Sequence, residues 1–147
     1  MTDHMESPRT VDVNHLPHKK PMLLIDRIVD TTDSKAIAKM SCPTDSFYFQ
    51  GHFPGKPLMP GVIMIEACAQ AAAFAMPNAS PGDVVFLTSV EKAKFYRPVV
   101  PGDVLTLEAN WTRMRRDFHC FTVRALVGDQ ICMKGELSLF HTKENVS

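Results

Sequence analysis

Residues 62–76 read VIMIEACAQAAAFAM, the most apolar stretch of the chain. Pro60 stands where the first turn of a helix would begin, Pro77 closes the far end, and Glu66 and Gln70 are the only strongly polar side chains between them. A helix that is apolar on nearly every face is normally surrounded by protein. At about sixteen residues, with an acid inside, this one is too short and too polar to span a membrane. The stretch therefore predicts one buried central helix.

Six segments around this helix have the character of β-strands: 22–30, 34–42, 84–96, 103–116, 118–127 and 130–140. In the fourth, apolar Leu105, Leu107 and Ala109 alternate with polar residues, which is the period of a half-buried strand. Pro101-Gly102 and Gly128-Asp129 mark tight turns between neighbouring strands. Long strands joined by tight turns indicate an antiparallel sheet. We expect an α+β fold in which one curled antiparallel sheet wraps around the helix.

Length and composition limit the classes of protein to consider. The 147 residues predict a single domain over 1–147, with ends that fray at about 1–12 and 141–147. A formal net charge of zero argues against a general nucleic-acid binder. The polar N-terminus has no signal-peptide core, and four widely spaced cysteines without a CxxC pair favour free thiols. We expect a cytoplasmic protein without a metal site.

An acid within so apolar a helix requires an explanation. An ionised carboxylate is costly in an apolar site, and desolvation raises its pKa. Glu66 is either paired with a basic residue or set against a subunit interface, or it is a proton donor kept protonated near neutral pH. Gln70 lies four residues on, on the same helical face, and either orients Glu66 or His52 or is a satisfied buried amide.

The loop before the helix, FQGHFPGKPLMPG (49–61), holds a histidine among glycines and prolines. Such a loop has a restricted backbone, and a catalytic base must be held in place, so His52 is a candidate general base. The first helical N–H groups, at Gly61 and Val62, lack intrahelical partners and lie at the positive end of the helix dipole. They form an oxyanion site, or Pro60-Gly61 is only a good helix start.

A histidine, a buried carboxyl group and a helix N-terminus together suit proton abstraction beside a carbonyl. A 3-hydroxyacyl thioester needs this chemistry, because one group removes the α-proton, another steadies the enolate-like oxygen, and a third protonates the leaving hydroxyl. The sequence has no GxGxxG, P-loop or GxSxG motif, and the reaction requires no metal or organic cofactor.

Three segments in order resemble the (3R)-hydroxyacyl-acyl-carrier-protein dehydratases of the FabZ type, which have the hot-dog fold. They are LPHKKPMLLIDRI, FQGHFPGKPLMPGVIMIEACAQ and KAKFYRPVVPGD, and the resemblance extends from about Leu16 to Phe140. It places the family's catalytic histidine at His52, its catalytic glutamate at Glu66 and its thioester-binding amide at Gly61. Glutamate, rather than the aspartate of the FabA type, implies dehydration without isomerisation.

The resemblance also implies partners. In this family the histidine and the acid of one site come from different chains of a homodimer, and three dimers often form a hexamer. The substrate is carried on an acyl carrier protein, which is acidic. Six basic side chains are candidates for docking it, although charges on strand ends also serve to discourage aggregation. They are Lys92, Lys94, Arg97, Arg113, Arg115 and Arg116.

Smaller features bear on the acyl chain. Phe53, Phe74 and Met76 are candidates for lining an acyl tunnel, or are plain core residues. The family commonly has a glycine soon after the AQ of its helix, where this chain continues as Ala71-Ala72-Ala73-Phe74, so chain-length preference and the pathway served are open. His18 is interpreted as a structural hydrogen-bonding residue.

Two other functions fit the same fold. One is a hot-dog thioesterase, whose acid positions water for attack at the carbonyl. The other is a non-catalytic acyl-binding subunit, against which the presence of both His52 and Glu66 argues. A FabZ-like dehydratase of a specialised lipid or polyene pathway is a variant of the leading hypothesis.

Overall fold

The computed structural model describes residues 12–77, 80 and 83–142. In chain order the elements are a 3-10 helix at Val13–His15, strands β1 (Arg27–Thr31) and β2 (Lys35–Ser41), a 3-10 helix at Phe47–Phe49, helix α1 (Gly61–Ala73), and strands β3 (Val84–Phe95), β4 (Val104–Arg115), β5 (Phe118–Val127) and β6 (Gln130–Thr142). The predicted α+β fold is confirmed. None of the helices in these ranges is long and apolar enough to cross a bilayer.

The six strands form one antiparallel sheet in the order β1-β2-β4-β5-β6-β3. Register shifts interrupt the β1–β2, β3–β6, β4–β5 and β5–β6 ladders. Such bulges increase the local twist, so the sheet curls towards one side. The sheet is not closed into a barrel, and β3 and β1 form its two edges.

Helix α1 packs on the concave face of this sheet and contacts strands β2 to β6. Ala67, Ala71 and Ala72 are fully buried, and their small side chains allow the sheet to approach the helix closely. Opposite them lie fully buried residues of β4 such as Leu105 and Leu107. Burial of each leucine contributes about 1.5–3 kcal/mol of transfer free energy, so this face supplies much of the stability.

The helix runs from one end of the sheet to the other. At its start, Gly61 lies against the ring of Phe95 at the end of β3. At its other end, the carbonyl of Phe74 accepts a hydrogen bond of 3.0 Å from the Thr31 hydroxyl in β1. Groups on successive turns of α1 are therefore spread along the length of the sheet.

Two boundaries differ from the sequence prediction. The first strand begins at Arg27 rather than at residue 22, because the side chain of Gln70 hydrogen-bonds the backbone of Met22 and Leu24. Helix α1 ends at Ala73, and the N–H of Phe74 donates to the carbonyls of Ala71 and Ala72, which tightens the last turn.

The chain ends also extend further into regular structure than expected. The side chain of Asp12 caps the first 3-10 helix, and His141 and Thr142 belong to β6, although all three fall in the ranges predicted to fray. The remainder of both ranges, 1–11 and 143–147, lies outside the described residues.

All four cysteines are free thiols, in agreement with the sequence interpretation. Cys68 is fully buried in α1, and burial raises the pKa of its thiol to about 12. A thiol so resistant to ionisation is not a nucleophile, so Cys68 is part of the core.

Candidate active site

The loop that carries His52 is held by its own hydrogen bonds. Gly51 and Gly55 adopt positive φ angles of 81° and 74°, which side chains rarely tolerate. The N–H of Leu58 donates to the carbonyl of His52 at 2.6 Å, and Phe53 and Lys56 exchange backbone hydrogen bonds across the turn. The glycines and these bonds fix the position of the imidazole.

One nitrogen of His52 is already engaged. Its Nδ1 lies 2.9 Å from the carbonyl oxygen of Leu58, which can only accept a hydrogen bond. In the neutral imidazole the proton therefore sits on Nδ1, and Nε2 keeps its lone pair. The ring stacks on Phe53 at a centroid distance of 4.2 Å. His52 is thus held in the tautomer that a general base needs.

Glu66 is paired through one of its two oxygens. Its Oε2 lies 3.2 Å from His18 Nε2 and accepts a hydrogen bond of 2.9 Å from Gln70 Nε2. Burial raises the pKa of Glu66, but the hydrogen bonds from His18 and Gln70 and the charge of His18 outweigh it and hold that pKa below its usual value of 4.5. Within one chain, therefore, the structure favours the paired, ionised carboxylate over the resting proton donor.

Gln70 connects this acid to the preceding part of the chain. Its Oε1 accepts from the N–H of Leu24 at 2.9 Å, and its Nε2 donates to the carbonyl of Met22 at 2.6 Å as well as to Glu66. The residue is only 1% exposed. Gln70 is therefore a satisfied buried amide and also orients Glu66, so the two alternatives are both realised; it does not contact His52.

His18 has a larger part than its sequence interpretation gave it. It forms the predicted structural hydrogen bond, but its partner is Glu66 itself, 48 residues away in the chain. Its Nδ1 is buried and has no hydrogen-bond partner among the described residues. In the sequence, the only indication about His18 was that LPHKKP lies close to the strand that follows. Nothing indicated that His18 contacts the helix.

A narrow cleft of about 30 Å³ opens beside Glu66, between α1 and the sheet. Its walls are formed by His18, Glu66, Ala69, Gln70, Ala73, Val85, Leu87 and Leu139. Apart from His18, Glu66 and Gln70, these side chains are apolar. Sequence reasoning missed the three sheet residues, because only the pairing of β3 with β6 brings them beside α1.

The three residues proposed to line a tunnel lie elsewhere. Phe53 is 53% exposed and stacks on His52, Phe74 ends the helix, and Met76 is buried in the core. None of them is among the residues that form the cleft.

The N-terminus of α1 lies beneath an aromatic ring. Gly61 and Val62 occupy its first turn, where backbone N–H groups have no intrahelical acceptor. A methyl group on Gly61 would lie 2.8 Å from Phe95 Cε1, which is closer than van der Waals contact. Only glycine leaves room for the Phe95 ring to pack this closely on the first turn of the helix.

We expect Gly61→Ala to impair turnover more than stability. The Phe95 ring is 48% exposed and can swing aside, so the free energy of unfolding should fall by only about 1 kcal/mol. The displaced ring no longer packs on the N-terminus of α1, which changes the shape of the site around the first N–H groups, and turnover should fall about 10–100-fold. Urea unfolding and steady-state kinetics measure the two effects. In a Phe95→Ala background the added methyl group should cost much less, and wild-type kinetics of Gly61→Ala would contradict the role of this contact.

The six basic residues do not form one patch. In the sheet register, Lys94 of β3 stands opposite Lys134 of β6. At the same end of the sheet, Arg97 forms an ion pair of 3.2 Å with Asp103. Lys92 pairs with Glu136 at 3.5 Å. Arg113 and Arg115 lie at the other end of β4, and Arg116 follows them. Lys92 falls between the two groups, because its partner Glu136 lines a groove together with these arginines.

Those arginines border a second cavity. A groove of about 740 Å³ on the sheet face opposite α1 is lined by Arg113, Arg115 and Arg116 together with polar residues such as Thr112 and Ser138. Neither His52 nor Glu66 is among its lining residues. This groove is therefore separate from the cleft beside the acid.

Comparison with known proteins shows the family of the chain. The model of the FabA-like domain matches residues 16–136. The chain is 40% identical over 131 residues to the 3-hydroxyacyl-(acyl-carrier-protein) dehydratase FabZ of Caulobacter sp. (strain K31), covering 86% of this chain and 80% of that protein. It is 42% identical over 137 residues to the bifunctional enzyme LpxC/FabZ of Chlorobaculum tepidum, but it spans only 29% of that relative's length.

Among solved structures, the dehydratase heterocomplex ApeI:P from Xenorhabdus doucetiae superimposes with a TM-score of 0.77. The alignment covers 92% of this chain and 94% of that one at 19% identity, a similarity that establishes the fold alone. The family model, in contrast, spans most of the described chain, including the loop of His52 and the whole of α1. The chain belongs to the FabA-like domain family.

Proposed function

We propose that this protein removes water from (3R)-3-hydroxyacyl thioesters carried on an acyl carrier protein, giving trans-2-enoyl thioesters for fatty-acid elongation. Its 40% identity to the 3-hydroxyacyl-(acyl-carrier-protein) dehydratase FabZ of Caulobacter sp. (strain K31) supports this assignment. The observation that carries it is the state of the two candidate groups. Among the described residues, neither Nε2 of His52 nor the second oxygen of Glu66 has a hydrogen-bond partner, whereas the first oxygen of Glu66 is held by His18 and Gln70.

The proposed reaction uses both groups. His52 Nε2 takes the proton from the carbon next to the thioester carbonyl, and the N–H groups of Gly61 and Val62 stabilise the oxygen as it gains negative charge. The C–O bond at the third carbon then breaks, and Glu66 supplies a proton to the departing hydroxyl through Oε1. The products are the enoyl thioester and one water, and the protons on His52 and Glu66 re-equilibrate with solvent.

A general acid must first hold a proton, whereas the pairing with His18 and Gln70 within one chain lowers the pKa of Glu66. Its side chain is 27% exposed, and burial already opposes the hydrogen bonds that lower its pKa. An acyl chain that fills the cleft removes the remaining water from Glu66. This further desolvation raises the pKa of the carboxyl group, so substrate binding itself favours the protonated form.

We infer that a homodimer completes the site. His52 is not among the residues that line the cleft of Glu66 in its own chain. Strand β3 is an edge of the sheet and exposes Phe86, Leu87, Val90 and Phe95, each 39–50% accessible. An apolar edge strand is suited to pairing with a second copy, which would bring the loop of one chain to the helix of the other. Three such dimers make the proposed hexamer.

Two inactive variants should complement each other if the site is shared. A heterodimer of a His52→Ala chain and a Glu66→Gln chain contains one site with both intact groups. Random exchange of equal amounts should therefore restore about a quarter of wild-type turnover. Activity of the mixture is measured after refolding together, with each variant refolded alone as control. A mixture no more active than the separate variants, despite exchange shown by mass spectrometry of tagged chains, would place both groups in one chain.

The carrier protein is proposed to dock near Lys94 and Arg97. These two residues flank Phe95, which lies over the N-terminus of α1, where the thioester carbonyl is proposed to bind. The arginines that line the outer groove stand at the opposite end of the sheet and are a poorer match. We propose that the protein acts in the cytoplasm.

The activity is tested with carrier-bound 3-hydroxyacyl substrates of short and long chain length. Enoyl thioester and free thiol are measured separately. We expect the enoyl product without free thiol. Free thiol without enoyl product would identify a thioesterase, and neither product, with binding of the acyl carrier intact, would identify a non-catalytic acyl-binding subunit.

A further inference from the structure

A cluster of polar side chains lies near the end of α1 that is remote from its N-terminus. Trp111 Nε1 donates a hydrogen bond of 3.0 Å to His119 Nδ1, and His141 Nε2 lies 2.6 Å from Asp83 Oδ2. The rings of the two histidines meet edge to face at 6.3 Å. We call these four residues the distal cluster. The proposed reaction uses none of them.

The register of the sheet places the distal cluster next to the cleft of Glu66. His119 stands directly opposite Leu139, and His141 directly opposite Val85. Directly opposed residues project from the same face of a sheet, and both Leu139 and Val85 line the cleft. The two histidines therefore continue the wall of the cleft on the side away from Glu66.

The helical rise along α1 gives the length of the cleft. The cleft follows the helix from Glu66 past Ala69 to Ala73, which is about 10 Å at the rise of an α-helix. Its present volume of about 30 Å³ holds no more than a few water-sized groups. An entering chain must therefore widen the cleft by displacing its aliphatic wall residues, Val85, Leu87 and Leu139, as it advances.

His119 presents a hydrogen-bond donor at this end. Because an indole N–H only donates, Nδ1 of His119 must be the acceptor, and in the neutral ring Nε2 carries the proton. Burial, followed by the nearby His141, holds the pKa of His119 below its usual value and favours this neutral ring. The residue is only 7% exposed, and Nε2 has no partner among the described residues. Nε2 is not among the fully enclosed atoms that lack a hydrogen-bond partner, so it is accessible, and an acceptor that bonds to it contributes one net hydrogen bond.

We propose that the distal cluster is a recognition site for the far end of the acyl chain, and that it selects chains ending in an oxygen acceptor, such as a hydroxyl or phenol, over chains ending in a methyl group. The inference rests on the proposed function, because it assumes that the acyl chain enters beside Glu66. A neutral N–H favours an uncharged oxygen, and the Trp111 indole provides a flat wall beside it. Asp83 is already engaged with His141 and orients that ring.

The test compares two 3-hydroxyacyl thioesters of equal length, one ending in a hydroxyl and one in a methyl group, over a series of increasing lengths. At the length that reaches His119, wild-type kcat/KM should favour the hydroxyl-ended substrate about tenfold, the ratio that one net hydrogen bond provides. His119→Phe should abolish or reverse this ratio, and His119→Gln, which keeps an N–H donor, should retain part of it. Thermal unfolding of each variant reports whether the fold survives.

A short 3-hydroxybutyryl substrate, which does not reach the distal cluster, separates the recognition site from the proposed dehydratase function. Its turnover should be the same in wild type and in both His119 variants. If wild type turns over no substrate at all, the proposed function fails, and calorimetric binding of hydroxyl-ended and methyl-ended acyl pantetheine thioethers still tests the recognition site. A wild type without preference at any length, or a preference that His119→Phe leaves intact, overturns the inference, whether or not the fold of a variant is weakened.

Discussion

The His52→Ala variant is expected to lose about 10²–10⁴-fold in kcat with a carrier-bound 3-hydroxyacyl substrate, while its KM changes little. The imidazole is the group of this loop that can accept the α-proton, because in the neutral ring the bond between Nδ1 and the Leu58 carbonyl leaves the lone pair on Nε2. Formation of the enoyl thioester, followed by absorbance, measures the effect.

The variant also removes that hydrogen bond, so a control for loop structure is required. His52→Gln keeps an N–H donor that can reach the Leu58 carbonyl but has no basic nitrogen. It should be as inactive as His52→Ala and should unfold at nearly the wild-type temperature. His15→Ala, at an exposed histidine of the first 3-10 helix, serves as the matched control and should be fully active. Turnover of His52→Gln at the wild-type rate would remove His52 from the role of base.

Glu66→Gln is expected to have a comparable effect for a different reason. The amide has nearly the shape of the carboxyl group and can still accept hydrogen bonds from His18 and Gln70, but it cannot deliver a proton to the departing hydroxyl. We expect kcat to fall about 10²–10⁴-fold with the substrate still bound. Glu136→Gln, on the sheet face remote from the cleft, is the matched control and should retain wild-type turnover. An active Glu66→Gln enzyme would show that water or another group protonates the hydroxyl.

The same variant has a signature in stability that does not depend on activity. The folded-state pKa of Glu66 lies below its ordinary value of 4.5, so the ionised carboxylate stabilises the protein above that pH. This contribution is lost as the pH falls through the lower folded-state value. The difference in free energy of unfolding between wild type and Glu66→Gln should therefore shrink as the pH falls from about 6 to about 3. Urea unfolding at several pH values measures it, and a difference independent of pH would contradict the pairing with His18.

Local sequence determined the elements of the fold. An apolar stretch bounded by prolines gave a helix, and alternating segments between turn residues gave strands, because the period of apolar residues must match the side of an element that is buried. The strand that was predicted from residue 22 was an exception. Its first residues instead pair with the Gln70 side chain, a partner 46 to 48 residues away that no local pattern can indicate.

The candidate site, like the fold, was only partly predictable from the sequence. Glu66 and His52 were conspicuous by themselves, one as a charge in an apolar helix and the other as a histidine in a rigid loop. The structure supplied what surrounds them: His18 on the carboxylate, the Leu58 carbonyl on the imidazole, and the sheet residues of the cleft. The sequence did not indicate that the basic residues fall into separate groups, because their separation depends on which strand ends face the same way.

The sequence by itself determined the fold class, the family and the two candidate catalytic side chains, since each depends on residue type and spacing along the chain. The tertiary structure alone decided the ionisation of Glu66, the course of the cleft and the meeting of His119 with His141. Those properties depend on distances between residues far apart in sequence. Burial alone would raise the pKa of this carboxyl group, and it is the approach of His18 and Gln70 that lowers the pKa instead and favours ionisation.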